Sequence, residues 1–290
     1  MNLPPEKLHL TTSKEGVHLA VVEQGEGKPL VFCYGATCGR FHWKYQLQHF
    51  SRHYQTIVVD YRGHNLSSMP SDYEKLTIKG CAADVLAGLD ALGIERAVFC
   101  GHSIGVNVLL TLNAMAKERV AGLILVCGSH HNPFQIMFNT ELSQVGFELL
   151  KAAYIYTPGF FHKAWKRFVP AQFSHFLVSL LGYNKNLVRK SDVQMYVEGV
   201  AKHHPATMLY LLQDMSQFKG EPLFHQIDAP VLMIAGSKDL VTPVRIQRTM
   251  CEKIPHAEYF EVPLGSHVVQ YDMPDVINLR IEKFLRDIAW

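Results

Sequence analysis

A serine in a glycine-rich turn is the first residue whose setting in the sequence suggests chemistry. Ser103 lies in Gly101-His102-Ser103-Ile104-Gly105, which follows an apolar run and opens a helical pattern. Small residues two positions before and after the serine let the backbone approach it in a tight, strained strand-to-helix turn. At the start of that helix, the N–H of Ile104 would point outward and could stabilise an oxyanion. The pattern predicts a nucleophile; the alternative is a turn whose serine only caps the helix.

A serine hydroxyl is a weak nucleophile at neutral pH, so Ser103 requires a base, and the base requires an acid that orients it. Asp239 comes just after the apolar run Val231–Ala235, past the C-terminal end of a predicted strand. His267 follows the next predicted strand, and this placement distinguishes it among the 16 histidines of the chain. We expect Ser103 to attack a carbonyl carbon, His267 to take its proton, and Asp239 to hold His267 and stabilise its cation.

Other carboxylates fit the role of the orienting acid less well. Residues 128–133 come after a predicted strand but contain no carboxylate. Asp228 precedes a predicted strand, so it is expected at the edge of the sheet opposite to the predicted nucleophile. Asp272 comes five residues after the predicted base, where it is expected to start the last helix and interact with the helix dipole. Asp239 alone follows a strand at the catalytic end of the predicted sheet.

Strands and helices alternate on both sides of a long central segment. Apolar runs bounded by Gly, Pro or charged residues predict strands at Val17–Val22, Leu30–Tyr34, Thr56–Asp60, Ala97–Cys100, Leu123–Cys127, Val231–Ala235 and Tyr259–Val262. Several of these runs show no polar alternation, which is typical of parallel strands covered on both faces. Helical spacing predicts helices at Thr77–Leu92, Ile104–Lys117, Val244–Lys253 and Pro274–Ile288. The alternation predicts an α/β fold with a mostly parallel, doubly wound sheet.

The segment 130–218 differs in kind from the sequence on either side of it. It contains 15 of the 31 aromatic residues of the chain and no convincing strand. Apolar residues recur at i, i+3, i+4, i+7 and i+8 of a helix, namely Phe173, Phe176, Leu177, Leu180 and Leu181. We therefore predict a core formed by residues 1–129 and 219–290, interrupted by a helical cap of residues 130–218.

The composition of the predicted cap bears on its partners. Its lysines and arginines outnumber its acidic residues by three, which a solvated outer face explains. An acidic carrier protein or an anionic lipid surface is the alternative explanation of this basic excess. Its aromatic side chains are expected to form the cap's own core and, in part, to line a substrate pocket.

Three further segments complete a resemblance to a known family. Val31–Gly35 resembles the third strand of that family with its His-Gly turn, and Asp60–Ser67 resembles its D-x-R-G-x-G-x-S segment. Leu89–Gly93 precedes the serine-bearing strand as it does in relatives. With the order Ser…Asp…His, these segments make the sequence similar to the α/β-hydrolase superfamily with a helical cap, of the esterase, lipase and C–C hydrolase type.

The resemblance implies the α/β-hydrolase fold, a hydrolytic reaction, and no cofactor or catalytic metal. It also implies that the backbone N–H of Ala36 is a second oxyanion donor beside the N–H of Ile104. Three residues depart from the family pattern. Tyr34 replaces a histidine, which affects the packing of its loop. Asn65 replaces a glycine at a position expected to be left-handed, a conformation that Asn tolerates. Val106 replaces a glycine, so that a close helix contact is not expected there.

These residues favour a carboxylic-ester hydrolase that acts on a small apolar ester under the cap. A C–C bond hydrolase, a thioesterase or an acyltransferase would use the same three residues on another substrate. A ligand-binding receptor that keeps the fold but turns over little is the third hypothesis. The serine at position 103 argues against haloalkane dehalogenases and epoxide hydrolases, which use Asp at that position.

Composition excludes several other classes of protein. The chain has 290 residues, of which 48% are hydrophobic and 19% charged, and its net charge is +2. This small charge gives no reason to expect nucleic-acid binding. No apolar run approaches the ~18 residues of a membrane span.

The cysteines and the first residues indicate the compartment. The first ten residues lack an apolar signal core, so we expect a cytoplasmic protein. The six cysteines form no CxxC pair, and we interpret them as small buried side chains in a reducing compartment. A structural disulfide or a metal site is the alternative interpretation of the cysteines.

Overall fold

Eight strands form one sheet in the computed structural model, which describes residues 3–134, 141–169 and 182–290. The sheet order is β1-β2-β4-β3-β5-β6-β7-β8. β2 runs antiparallel to β1 and β4, and all other neighbouring pairs are parallel, so the prediction of a mostly parallel sheet is confirmed. The strands are β1 Glu6–Thr12, β2 His18–Gln24, β3 Pro29–Cys33, β4 Gln55–Val59, β5 Ala97–His102, β6 Val120–Val126, β7 Val231–Gly236 and β8 Ala257–Val262.

Helices cover both faces of this sheet. They are α1 Lys44–Phe50, α2 Ile78–Ala91, α3 Ile104–Met115, α4 Glu141–Tyr156, α5 Pro158–Phe168, α6 Lys190–Lys202, α7 Pro205–Ser216, α8 Val244–Lys253, α9 Val269–Asp272 and α10 Pro274–Asp287. The pairs α1/α10 and α2/α3 each pack together, and β4 contacts one member of each pair. The sheet is therefore doubly wound.

The centre of the sheet is buried along its whole length. Every residue of β5, β6 and β7 is buried, and the sequence of β6, VAGLILV, shows no polar alternation. A strand covered by helices on both faces has no solvent side that polar residues could occupy. This burial is why the apolar runs predicted these strands.

Three elements outside segment 130–218 were not predicted from the sequence: β1, α1 and the four-residue helix α9. β1 is an edge strand whose residues, EKLHLTT, are mostly exposed, so its composition resembles that of a loop. α1 has only seven residues, too few for a clear helical repeat. Some predicted bounds also shifted: the first predicted strand is observed as β2, and α3 ends two residues before the predicted Lys117.

The described part of segment 130–218 is helical and contains no strand. Its last helix, α7, packs into the main core through Leu211 and Met215. Phe147 and Tyr154 of α4 form a second apolar cluster with Leu76 of the region before α2. The predicted helix around Phe173, Phe176, Leu177, Leu180 and Leu181 lies outside the described residues. The division into core and cap stays a prediction.

The structure bears on two expectations from composition, those for membrane spans and for the cysteines. Among the described residues, no helix is long and apolar enough to cross a membrane. All six cysteines are buried free thiols, which fits their interpretation as small buried side chains.

A buried ion pair holds the loop that follows β4. The backbone N–H, Nε and Nη2 of Arg62 all donate hydrogen bonds to the carboxylate of Asp84, at 2.8–2.9 Å. The two side chains are 1% and 0% exposed. Removing one member of such a pair leaves an uncompensated charge away from water.

Asp84→Ala should lower the free energy of unfolding by about 3–5 kcal/mol, because the Arg62 guanidinium loses its main buried partner. Chemical denaturation of the purified protein measures this change. Asp90→Ala is the matched control: Asp90 pairs with Arg119 but is 57% exposed, and its loss should cost under ~1 kcal/mol. Similar losses in both variants would contradict the role assigned to burial.

Candidate active site

Ser103 occupies a strained turn between β5 and α3. Its φ is 55° and its ψ is −122°, a conformation that L-residues rarely adopt. A Cβ on Gly101 would lie 2.7 Å from the carbonyl oxygen of Gly105. A Cβ on Gly105 would lie 2.5 Å from the carbonyl oxygen of Cys33. Only glycine fits at both positions, so the tight turn predicted around Ser103 is present.

A second loop reaches Ser103 from the end of β3. A Cβ on Gly35 would lie 3.3 Å from the Cβ of Ser103, so the two backbones are close neighbours. Within the described part of the chain, the N–H groups of Ala36 and Ile104 donate to no protein acceptor. Two unpaired backbone donors thus belong to the Ser103 turn and to the loop that follows β3, and an external oxygen could accept from them.

Asp239 and His267 form a hydrogen-bonded pair at the ends of β7 and β8. The distances from His267 Nδ1 to the two Asp239 carboxylate oxygens are 3.0 and 3.2 Å. The Asp239 side chain is 0% exposed and that of His267 is 10% exposed. The N–H groups of Val241 and Thr242 donate to Asp239 Oδ1, at 2.9 and 2.8 Å.

Two side chains complete the environment of the Asp239 carboxylate. Thr242 Oγ1 lies 2.7 Å from Asp239 Oδ2 and 3.0 Å from the carbonyl oxygen of Cys127. Gln247 Nε2 donates to Asp239 Oδ2 at 3.2 Å and to the carbonyl oxygen of Thr242 at 2.7 Å. These groups fix the orientation of the carboxylate toward His267. Sequence reasoning missed both residues, although a threonine three positions after an Asp is typical of local side-chain-to-backbone hydrogen bonds.

His102 links the Ser103 turn to the His267 segment. Its Nε2 donates to the carbonyl oxygen of His267 at 2.7 Å, and the two ring centroids lie 4.8 Å apart. The His42 ring packs on His102 at 4.5 Å. Burial lowers the pKa of His102 well below its usual value and lowers the pKa of His42 to about 3. Both imidazoles are therefore neutral near pH 7, and no local sequence pattern indicated this contact.

Polar contacts compensate for two of the departures from the family pattern. The Tyr34 hydroxyl donates to Asp60 Oδ1 at 3.1 Å and accepts from the N–H of Tyr61 at 3.0 Å. Asn65 adopts a φ of 45°, the left-handed conformation expected for it. Its Nδ2 donates to Asp60 Oδ1 at 3.1 Å and to the carbonyl oxygen of Cys38 at 3.0 Å. The loop that Tyr34 enters is therefore held by an internal polar network.

The expectation for Val106 needs correction. A Cβ on Gly128 would lie 2.4 Å from Val106 Cγ2, so a close contact of the helix does occur there. The small residue that permits this contact lies after β6 rather than on α3. A valine can replace the helix glycine because Gly128 provides the space.

The other carboxylates are engaged elsewhere. Asp228 is 71% exposed and pairs with Lys117 at 2.9 Å. Asp272 ends α9 instead of starting the last helix, and its Oδ2 accepts from the N–H and the hydroxyl of Ser266, at 2.5 and 2.7 Å. Among the predicted acids, Asp239 is the one that contacts His267.

Cys127, Asp239 and His267 together offer side-chain donors of the types that bind metal ions. A ligand atom each from Cys127, Asp239 and His267 lies within 4.8 Å of the other two, and all three residues are buried. No other such group of three occurs among residues 3–134, 141–169 and 182–290.

Cavities of about 700, 510 and 420 Å³ lie elsewhere, and none of them is lined by Ser103, Asp239 or His267.

Comparison with known proteins places the chain in a family. Residues 28–274 match the family described as alpha/beta hydrolase fold. A putative carbamate hydrolase RutD from Azorhizobium caulinodans is 27% identical over 91% of this chain and 93% of its own length. Epoxide hydrolase 4 from Homo sapiens is 25% identical over 94% of this chain and 76% of its own length. Bifunctional epoxide hydrolase 2 from Sus scrofa is 26% identical over 95% of this chain, which spans only 54% of that protein.

Solved structures show the same fold. A thermophilic esterase from Thermogutta terrifontis aligns with a TM-score of 0.75 at 20% identity, over 97% of this chain and 99% of that chain. A hydrolase from Pseudomonas aeruginosa aligns with a TM-score of 0.78 at 22% identity, over 96% of this chain and 98% of that chain. Since the family match also covers most of the sequence, the chain belongs to the α/β-hydrolase superfamily.

Proposed function

We propose that this α/β-hydrolase cleaves carboxylic esters by a serine mechanism. The observation that carries the proposal is the buried Asp239–His267 hydrogen bond, whose His267 backbone accepts a hydrogen bond from His102, the residue before Ser103. A carboxylate that accepts from Nδ1 leaves the lone pair of Nε2 free to take a proton. This is the tautomer that a serine nucleophile requires of its base.

In the proposed reaction, Ser103 Oγ attacks the carbonyl carbon of the ester while His267 Nε2 takes the hydroxyl proton. The N–H groups of Ala36 and Ile104 donate to the developing oxyanion. The His267 cation then gives its proton to the departing alcohol, which leaves an acyl-enzyme. Water, deprotonated by His267, attacks the acyl carbonyl and releases the acid and free Ser103. Every step uses groups of the chain, substrate and water.

The serine distinguishes this site from an epoxide hydrolase site, although relatives of that name share the sequence similarity. Attack of Ser103 Oγ on an epoxide carbon would form an ether. An ether has no carbonyl carbon for water to attack, so the enzyme would not be regenerated. An ester, a lactone or a carbamate gives an acyl or carbamoyl intermediate that water can hydrolyse. The names of the esterase and carbamate hydrolase relatives fit this carbonyl chemistry.

The substrate class follows from the proposed cap. We place residues 130–218 above the Ser103 turn, where apolar side chains of the segment would enclose an acyl or alcohol group. Ester, thioester and C–C substrates all present a carbonyl to Ser103, so the pocket rather than the triad selects among them. An apolar ester fits best because the segment is rich in aromatic residues.

Ser103→Ala should abolish covalent labelling by an organophosphonate and reduce turnover by a factor on the order of 10⁴ or more. The reason is that alanine offers no nucleophile, while the fold remains. Mass spectrometry of labelled protein and a p-nitrophenyl ester assay measure the two effects. Ser129→Ala, a buried serine after β6, is the control and should label like the wild type. Stoichiometric labelling of Ser103→Ala at another serine would show that the nucleophile is wrongly assigned.

Asp239→Asn should reduce kcat by about 10³–10⁴, because an amide favours the tautomer of His267 that cannot accept the Ser103 proton. Asp272→Asn is the isosteric control, since Asp272 bonds Ser266 instead of His267. Its kcat should fall by less than about tenfold. Steady-state kinetics on the same ester decides between them, and the opposite order of the two losses would identify Asp272 as the acid.

The value of kcat/KM should rise as the acyl chain is lengthened beyond acetyl. Each buried methylene should contribute up to ~0.8 kcal/mol until the pocket is full. A series of p-nitrophenyl esters of increasing chain length measures this dependence. A strict preference for acetyl or for charged acyl groups would mean that the aromatic residues of segment 130–218 serve only its own core.

A further inference from the structure

The thiol of Cys127 lies close to Asp239 and His267, the proposed acid and base. Cys127 directly follows β6, and Asp239 follows the neighbouring parallel strand β7, so the two strand ends place their residues side by side. The N–H of Cys127 donates to the carbonyl oxygen of Ile234 at 2.9 Å, and Thr242 Oγ1 contacts its carbonyl oxygen at 3.0 Å. These bonds hold the residue at a φ of 47°.

The three side chains offer the donor set of a zinc site. A thiolate sulfur, a carboxylate oxygen and an imidazole nitrogen are all common zinc ligands, at ~2.3, ~2.1 and ~2.0 Å from the metal. In a tetrahedral site these distances separate the nitrogen and the oxygen by about 3.3 Å. The separations between His267 Nδ1 and the Asp239 oxygens are 3.0 and 3.2 Å. Insertion of the ion therefore changes the separation of these two ligand atoms by only a few tenths of an ångström. The Cys127 sulfur must lie about 3.5 Å from each of them, and the three ligand atoms lie within 4.8 Å of one another, so the sulfur moves by at most about 1.3 Å.

We propose that Cys127, Asp239 and His267 form an inhibitory site for a thiophilic divalent cation such as Zn²⁺. The inference rests on the proposed serine mechanism. The cation takes the lone pair of Nδ1, so the single proton of the neutral imidazole resides on Nε2. The Cys127 thiol releases its proton to solvent as it binds, and no electron transfer is involved. An imidazole with its proton on Nε2 cannot accept the proton of Ser103, so hydrolysis stops.

The first test measures ester hydrolysis in metal-free buffer with increasing Zn²⁺. The wild type should lose its activity and regain it when EDTA is added. Loss of an outer-shell partner costs 10–100-fold in metal affinity, so loss of the sulfur ligand should raise the inhibitory Zn²⁺ concentration at least about 100-fold. Cys127→Ser and Cys127→Ala are the variants, each compared with its own metal-free rate. Cys251→Ser, which removes a thiol on α8, should retain wild-type sensitivity.

The second test measures binding without turnover. Ser103→Ala retains all three proposed ligands, so one equivalent of Cd²⁺ should produce the ultraviolet absorption of a cadmium–thiolate bond. Adding Cys127→Ser should remove the band, and adding His267→Ala should weaken binding. If Ser103→Ala shows the band but the wild type neither hydrolyses esters nor is labelled at a serine, the proposed function is overturned and the metal site is supported. An absent band, or Zn²⁺ inhibition that is equal in Cys127→Ser and the wild type, would overturn the metal site.

Discussion

The strained backbone of Ser103 is the constraint on which the geometry of the site depends. A φ of 55° at a non-glycine residue costs on the order of 1–3 kcal/mol, and β5 and α3 hold it from either side. Gly105 leaves no room for a Cβ against the carbonyl oxygen of Cys33, the last residue of β3, so the close approach of α3 to β3 requires glycine there. The same approach leaves Gly35, which follows β3 and directly precedes Ala36, beside Ser103. The proposed nucleophile and the proposed oxyanion donors are therefore positioned by one backbone contact.

His267 lies between two neutral histidines and the carboxylate of Asp239. His42 and His102 stack toward it, but burial keeps their pKa values low, so they add no positive charge that would oppose a His267 cation. On the other side, Asp239 is fully buried, and donors from its own loop and from Gln247 compensate for its loss of hydration. In the proposed mechanism, a cation on His267 therefore meets the fixed carboxylate of Asp239 and two neighbouring imidazoles that carry no charge.

Sequence reasoning succeeded where local pattern and chain order determine position. The buried strands and the turn at Ser103 follow from apolar runs and small residues, and the end of β7 indicates where Asp239 lies. The contact of His102 with His267 joins residues 165 positions apart, so no local pattern could reveal it. Likewise, Tyr34 is accommodated by Asp60 and Asn65 together. A single sequence shows each of these residues, but it does not show that they hydrogen-bond to one another.

The proposed metal site at Cys127 would separate control of the proposed base from recognition of the substrate. Its side chain is fully buried and groups with Asp239 and His267. Asp239 contacts His267 at Nδ1, whereas the proposed proton transfer uses Nε2. An ion bound there would change the tautomer of His267 without occupying the space in which an ester binds. Its effect would therefore lower kcat for every substrate alike, whatever group the pocket selects. Inhibition that varied with acyl chain length would instead place the ion in the pocket over Ser103.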